Sequence, residues 1–591
     1  DDLLRLLAPG RRTIVAGKVE QFDGVTQMVH PDHTVSEDDA AEIPSFEPVY
    51  PLTAGVTQKT MAKASKAALT QLPDLPEWID PGQKTKQGWP DWVNALRQAH
   101  SPEAMADLAA YNPARQRLAY DEFMAHQITL ALARANLRRT KGRATQGNGT
   151  LQHQVLNQLP YSPTGAQTRA LQEITEDMAG GQKMNRLLQG DVGSGKTLVA
   201  FMALLVAVEA GGQGVMMAPT EILARQHLEA LQPLATSAGI TLQLLTGRDK
   251  GRDRQAKLAA LQNGDIQLLV GTHAVFQKDV VFADLRIAVV DEQHRFGVRQ
   301  RLELGQKGQS VDVLVMTATP IPRSLALAQY GDMDVSVLDE KPPGRKPIAT
   351  AMISAGRIDE VVEKLRNAIA QGRQIYWVCP LVEESELSDL TAAEDRFKRL
   401  RAVLGDDTVG LVHGQMPTAD KDQAMRRFQT GETSLLVATT VIEVGVNVPN
   451  ATIMVIERAE SFGLAQLHQL RGRVGRGDQH STCLLMYQAP LSKSGRKRLT
   501  VLRETEDGFQ IAEADLKMRG AGDLIGTAQS GLPRFRIADI EGQADLMAVA
   551  QSDARKLLAD DPHLESDRGR AARTLLWLTE QDQAIRLITV G

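Results

Sequence analysis

Gly190-Asp191-Val192-Gly193-Ser194-Gly195-Lys196-Thr197 reads G-x-x-x-x-G-K-T, the spacing of a phosphate-binding loop. Gly190, Gly193 and Gly195 permit backbone turns that a side chain would block, so that the loop amides, Ser194 included, converge on phosphate oxygens. Lys196 would reach the β- and γ-phosphates, and the Thr197 hydroxyl would hold Mg²⁺. The apolar run Leu198 to Val208 predicts a helix whose N-terminal dipole adds to anion binding.

Three further runs supply the rest of a phosphoryl-transfer centre. Asp291-Glu292 follows the apolar run Ile287–Val290, at the strand end where open α/β sheets bind ligands. Asp291 would organise Mg²⁺ and Glu292 would orient the attacking water. Thr317-Ala318-Thr319-Pro320 ends another strand at the same edge, and its hydroxyls would bridge the acidic pair to a second lobe. Gln469-Leu470-Arg471-Gly472-Arg473-Val474-Gly475-Arg476 places two arginines three apart among glycines. Arg473 and Arg476 would act as arginine fingers on the γ-phosphate, with Gln469 in the same catalytic set, and such fingers carry about 10³–10⁵ in rate.

These residues need a scaffold, and the hydrophobic pattern predicts one. Short apolar runs at Gly214–Pro219, Ile266–Gly271, Ile287–Asp291 and Val313–Met316 alternate with helical stretches, as in a parallel sheet buried on both faces. After the Pro/Gly-rich linker Lys341–Arg345 a second set follows: Gln374–Pro380, Val409–His413, Leu435–Thr439, Thr452–Ile456 and Thr482–Tyr487. Two α/β lobes with one phosphate loop imply a nucleotide held in the cleft between them. Upstream, Thr13–Gln21 and Thr26–His30 read as paired strands around Asp23-Gly24, Ser36–Ala41 as an acidic loop, and Lys59–Leu137 as Pro-bounded helices. Residues 140–150 have linker composition, and residues 500–591 read as helical with a Gly-rich interruption near 520–531.

Composition bounds the class. The 591 residues are 42% hydrophobic and 24% charged with a net charge of −5 at pH 7, ordinary for a soluble chain and neutral on nucleic-acid binding, which depends on local patches. Two such patches are Arg134, Arg138, Arg139, Lys141 and Arg143, and Lys493, Arg496, Lys497 and Arg498. Cys379 and Cys483, the only cysteines, lie in strand-like runs and read as buried thiols in a reducing compartment; no zinc-ligand spacing exists. With no signal peptide or apolar span of about 20 residues, no membrane partner is expected and a cytoplasmic location is. The chain opens at Asp1 without methionine, so upstream sequence is expected to be missing.

Taken together, residues ~155–490 resemble superfamily 2 helicases and translocases. Gln167 resembles the glutamine that reads adenine. Thr220 in Pro219-Thr220-Glu221 and Thr272-His273 after Gly271 look like nucleic-acid-gripping loops of the first lobe. His413-Gly414 and Thr439-Thr440-Val441-Ile442-Glu443 look like their second-lobe counterparts. The box Asp291-Glu292-Gln293-His294 with its tail to Arg301, together with Thr319–Arg323, is similar to the RecG branch and to the motor of the transcription-repair coupling factor. Arg519–Leu524 and Gly526–Gly531, with Arg519 and Gln529, resemble the translocation motif those two families share. Val15–Val19, Gln27–Pro31 and Pro48–Pro51 resemble the end of the RecG wedge, an OB-fold that splits duplex at a fork. Phe22 and Phe46 are its available aromatics, with a core role expected for each.

The resemblance therefore implies an α/β protein with two RecA-like parallel-sheet lobes. The expected domains are 1–55, the end of the wedge; 56–150, a helical linker; 151–342, helicase lobe 1; 343–500, helicase lobe 2; and 501–591, the translocation motif with C-terminal helices. It implies ATP and Mg²⁺ as cofactors and a monomeric ATP-dependent translocase on duplex DNA. Branched DNA, namely replication forks and Holliday junctions, would be the substrate, with single-stranded DNA-binding protein as a possible partner. The alternatives are a coupling-factor-like motor and a nucleotide-gated DNA-binding protein without productive unwinding.

Overall fold

The computed structural model describes residues 9–291, 310–317, 333–380, 386–439, 448–475, 479–525, 535–581 and 585, apart from positions 11, 18, 23–24, 30, 44, 54, 140–141, 343–345, 449 and 541. The chain forms two compact units, one of residues 1–125 with 535–582 and one built on residues 126–534.

The larger unit holds two sheets. The first comprises β5 (Asn185–Gly190), β6 (Gln213–Met217), β7 (Leu242–Leu245), β8 (Leu268–Gly271), β9 (Leu285–Val290), β10 (Asp312–Thr317) and β11 (Asp334–Leu338). Their order is β11-β5-β10-β9-β6-β8-β7, and every neighbouring pair is parallel. Successive residues point to opposite faces, so a strand between two helix layers must be apolar throughout. In β9, Ile287 and Val289 join one core while Ala288 and Val290 join the other. The first core also takes helices α6 (Gly165–Ala179), α7 (Lys196–Glu209) and α8 (Glu221–Ser237); the second takes Leu261 of α9 (Gly251–Asn263).

The second sheet comprises β12 (Ile348–Ser354), β13 (Gln374–Val378), β14 (Val409–Val412), β15 (Leu435–Ala438), β16 (Ala451–Ile456) and β17 (Ser481–Tyr487), ordered β12-β17-β16-β13-β15-β14 and again all parallel. Tyr376 and Val378 face a core closed by Phe428 of α12 (Thr418–Gln429), by α13 (Leu464–Arg471) and by α14 (Lys493–Glu504). Ile375 and Trp377 face the other side, under α10 (Ile358–Ala370) and α11 (Glu386–Leu404). α15 (Gly508–Ile525) follows α14. The doubly covered parallel lobes match the sequence expectation.

The smaller unit begins with β1 (Thr13–Gly17), β2 (Glu20–Phe22), β3 (Val25–Gln27) and β4 (Pro31–Ser36). β2 and β3 form the expected hairpin, but β1 pairs with β4 instead of continuing into it, and Glu37–Glu42 forms a 3₁₀ turn where the acidic run reads as a loop. Helices α1 (Gln58–Thr70), α2 (Pro81–Gln87), α3 (Trp92–Ala99) and the start of α4 (Pro113–Arg139) follow; α5 (Thr150–Leu156) opens the first lobe. The C-terminal helices α16 (Ala544–Asp560) and α17 (Asp567–Leu578) belong to the same unit. Buried Arg117 donates to Asp121 and Glu77 at 2.9 Å each, and Asp121 also accepts from Trp78 Nε1 at 2.6 Å. Tyr120 donates to Asp553 at 2.6 Å, and Arg568 donates to the Trp78 carbonyl, so the two sequence ends share one core.

The basic patches are partly spoken for. Arg134 pairs with Asp334, Arg143 with Asp284 at 2.8 Å, and Arg498 donates to the carbonyls of Glu460 and Phe462. Cys379 and Cys483 are buried free thiols, and burial pushes Cys483 up to about 12. Among the described residues no helix is long and apolar enough to cross a membrane.

Asp312, at the start of β10, is buried, accepts from the Met184 amide at 2.8 Å and is raised by burial to about 7. Between its unfolded value near 4 and about 7, the folded chain binds more protons than the unfolded one, so this group makes stability fall as pH rises. Asp312→Asn removes the buried charge. In thermal melts the variant is expected to match the wild type near pH 4 and to exceed it by about 2–6 °C at pH 8.

Candidate nucleotide site and nucleic-acid-facing loops

The phosphate loop joins the end of β5 to the start of α7. Gly193 and Gly195 adopt φ of +76° and +86°, the left-handed region that favours glycine. A Cβ on Gly190 would lie 2.5 Å from Ser194 Oγ, and one on Gly195 would lie 2.1 Å from Gln167 Nε2, so side chains are excluded from the cradle. Lys196 lies over the loop and donates to the carbonyls of Gly190 at 2.7 Å and Asp191 at 2.9 Å. Thr197 sits in the first turn of α7, where the free amides of the helix would receive an anion. Ser194 Oγ is buried with no hydrogen-bond partner, an acceptor and donor left open inside the cradle.

Gln167 is placed by a capping box at the start of α6. Its Oε1 accepts from the Thr164 amide at 2.9 Å, and its Nε2 donates to the Ser194 carbonyl at 2.9 Å. The expected adenine reader thus also props the phosphate loop.

Asp291 directly follows β9, its amide bonded to the Met217 carbonyl at the end of β6. Its Oδ2 accepts from His227 Nε2 at 2.7 Å, with both side chains buried. Thr317 is buried at the end of β10 on the same sheet. Glu292 and Thr319 lie outside the described residues. Among the described residues, no group of three or more His, Cys, Asp or Glu gathers around a point. A cation here would share Thr197 and Asp291 with phosphate oxygens, a hard oxygen set suited to Mg²⁺.

The second lobe reaches this loop directly. His468 of α13 donates from Nε2 to Asp191 Oδ1 at 2.6 Å, and its Nδ1 meets Arg471 Nη2 at 3.0 Å. Arg471 is itself buried and donates to the carbonyls of Leu502 and Thr505. Burial would raise the Asp191 carboxyl, but the His468 hydrogen bond and charge, the Val192 amide and Lys196 hold it below its usual value. A Cβ on Gly472 would touch Val192 Cβ and Cγ1 at 3.0 Å, so the backbone of the arginine segment packs against the phosphate loop. Gln469 and Arg473, on either side of this contact, are half-buried. Arg476 lies outside the described residues. His227, His468 and Asp191 carry no local signature: each sits between motif positions, and only the folded register pairs them.

The remaining loops occupy strand ends. Thr220 caps α8, its hydroxyl accepting from the Leu223 amide at 3.3 Å. Thr272 is buried after β8, and His273 beside it is exposed. In the second lobe His413 follows β14 and Thr439 follows β15; His413 Nδ1 and Thr439 Oγ1 are buried without partners. Burial holds the His413 imidazole below its usual value. Thr440, Glu443 and Gln529 lie outside the described residues, as does the Arg519 side chain on α15. Arg248, after β7, bridges the lobes by pairing with Glu221 at 3.1 Å and Asp422 at 2.8 Å, beside a cavity of about 530 Å³.

Two parallel-sheet lobes meeting at one phosphate loop define an ATP-using motor of the two-lobed helicase class. Family models agree: DEAD/DEAH box helicase matches residues 164–327, the helicase conserved C-terminal domain 358–478, and ATP-dependent DNA helicase RecG, domain 3, C-terminal, residues 505–583. The chain is 44% identical over 592 residues to ATP-dependent DNA helicase RecG of Escherichia coli (strain K12), covering 98% of this chain and 84% of that protein. It is 46% identical over 520 residues to RecG of Bacillus subtilis (strain 168), covering 88% and 76%. A solved structure of RecG bound to a three-way DNA junction superposes with a TM-score of 0.67 at 39% identity, covering 92% of this chain and 72% of that one. The chain belongs to the RecG family of ATP-dependent DNA helicases.

Proposed function

We propose that this chain is a duplex DNA translocase and helicase that remodels branched DNA, regressing replication forks and migrating Holliday junctions. The reading is supported by the RecG relative solved on a three-way junction and by the match of residues 505–583 to RecG domain 3, while the wedge-like residues before the motor stand where a coupling factor would carry a polymerase-binding module. The observation that carries it is the contact of α13 with the phosphate loop through His468–Asp191 and Gly472–Val192. A nucleotide bound there faces both lobes, so hydrolysis and lobe movement are coupled.

In this reading Lys196 and the loop amides hold the β- and γ-phosphates, and Gln167 reads the adenine edge while steadying the loop. Mg²⁺, held by Thr197 and Asp291, would neutralise phosphate charge as the γ-phosphoryl leaves. Glu292 orients the attacking water. Arg473 and Arg476 approach from the second lobe, with Gln469 positioned beside them. Thr317 and Thr319 relay the nucleotide state across the cleft. Thr220, Thr272, His273, His413, Thr439, Thr440 and Glu443 grip the DNA backbone without reading sequence. Arg519 and Gln529 convert lobe closure into translocation.

Steady-state ATPase activity should be measured without DNA, with single strand, with linear duplex and with a model fork, using Lys196→Ala as the blank. Stimulation by the fork well above both linear forms is expected. Equal stimulation by plain duplex would point to a simple translocase, and stimulation by RNA alone would overturn the reading.

A further inference from the structure

α8 joins two parts of the site, the loop after β6 and the carboxylate after β9. Its N-cap, Thr220, lies in the loop proposed to grip the DNA backbone. Seven residues on, two turns along the helix, His227 falls on nearly the same stripe. That stripe faces inward: Ala224, His227, Leu231 and Ala235 are the buried residues of α8. Three of the four are apolar. His227 is the polar exception, and its Nε2 lies 2.7 Å from Asp291 Oδ2. Because a carboxylate only accepts, the imidazole donates from Nε2.

The strand layout tightens this link. β6 runs into Pro219-Thr220 and then α8, and the last residue of β6, Met217, accepts the Asp291 amide at 2.9 Å. Asp291 is therefore held through its backbone by the strand that feeds α8 and through its side chain by α8 itself. A shift or rotation of α8 of about 1 Å, the scale of helix movements in coupled transitions, would lengthen a 2.7 Å hydrogen bond beyond its useful range. Metal-ligating carboxylates are commonly oriented by such outer hydrogen bonds, and losing one costs about 10–100-fold in metal affinity or activity.

We propose that His227 is a positioning residue. It sets the Asp291 carboxylate for Mg²⁺-nucleotide and transmits the setting of the DNA-gripping end of α8 to it. The proposal rests on the functional reading above and adds a residue to it. An ordinary core histidine, retained only to satisfy its own hydrogen bond, would affect stability alone.

The experiment compares wild type, His227→Ala, His227→Leu and His227→Gln in the full chain, with thermal melts to confirm folding. Fluorescent mant-ADP binding is titrated with and without Mg²⁺, and the ATPase activity is titrated with Mg²⁺ in the presence and absence of forked DNA. In His227→Ala and His227→Leu the Mg²⁺-dependent gain in mant-ADP affinity should fall about 10-fold or more, with Mg²⁺-free binding unchanged. The Mg²⁺ concentration for half-maximal activity should rise, and the DNA stimulation factor should drop. His227→Gln, whose amide can donate from a similar position, should recover most of both effects. The proposal is overturned if His227→Leu keeps the wild-type Mg²⁺ response and DNA stimulation, or if His227→Gln is no better than His227→Leu. A wild-type chain that binds Mg²⁺-nucleotide normally but shows no DNA stimulation would count against the functional reading, while the mant-ADP titrations would still decide the role of His227 at Asp291.

Discussion

Arg473→Ala is expected to lower the rate of ATP hydrolysis by about 10³-fold or more while leaving nucleotide affinity within a few-fold of wild type. Charge on the γ-phosphoryl oxygens develops as the bond to the leaving group loosens, so a guanidinium aimed there acts mainly on the transition state. The backbone around Arg473 is fixed: its amide bonds to the Leu470 carbonyl at 3.0 Å, and the preceding Gly472 has no room for a Cβ against Val192. In the proposed role the arginine would reach the γ-phosphate from a segment seated on the phosphate loop. Arg473→Lys keeps the charge but loses the planar fork, and should recover only a small part of the rate. Single-turnover hydrolysis with mant-ATP binding alongside separates the two effects. An equal loss of affinity and rate would assign Arg473 to ground-state binding.

The second large effect divides binding from chemistry within the first lobe. Lys196→Ala should abolish measurable DNA-stimulated hydrolysis, a drop of at least about 10²–10³-fold, and weaken ATP binding as well. Lys196 is held in place by two carbonyls, so little side-chain freedom is lost when it engages phosphate. Glu292→Gln should show a different pattern: binding intact, hydrolysis lost, and the protein held on DNA with ATP. Unaltered hydrolysis in Glu292→Gln would remove that residue from the catalytic set.

How far the sequence leads depends on how each element is buried. β6, β8, β9 and β10 are continuous apolar runs because both faces are covered, and all five second-lobe runs predicted from pattern appear as β13 to β17. The strands that escaped are mostly at the edges. β7, β11 and β12 each close one side of a sheet, and their exposed or half-exposed polar residues, such as Gln243, Asp334 and Thr350, break the apolar signal. β5 was hidden for another reason: Arg186 and Gln189 interrupt it, the arginine being neutralised by Asp177 and Glu173 from α6. The phosphate loop was legible because its chemistry is local. The pairs His468–Asp191 and His227–Asp291 join residues 277 and 64 positions apart, so no local spacing could announce them. The union of the N-terminal helices with α16 and α17 was likewise invisible to a linear reading.

Two of the side-chain pairs that join the lobes differ in their solvent. His468–Asp191 is nearly buried, with side-chain exposures of 8% and 17%, whereas Arg248 is 48% exposed where it reaches Asp422. They also leave the first sheet far apart, one after β5 and the other after the opposite edge strand β7, five strand spacings or roughly 24 Å across at ~4.8 Å each. Mobile ions screen the exposed pair and barely reach the buried one. Of these two pairs, ionic strength therefore acts on the one beside α12. In concentrated salt the margin beside α12 loses an attraction worth at most about 1 kcal/mol and keeps the apolar packing of Ile222 on the second-lobe core, while the hinge beside the nucleotide is untouched.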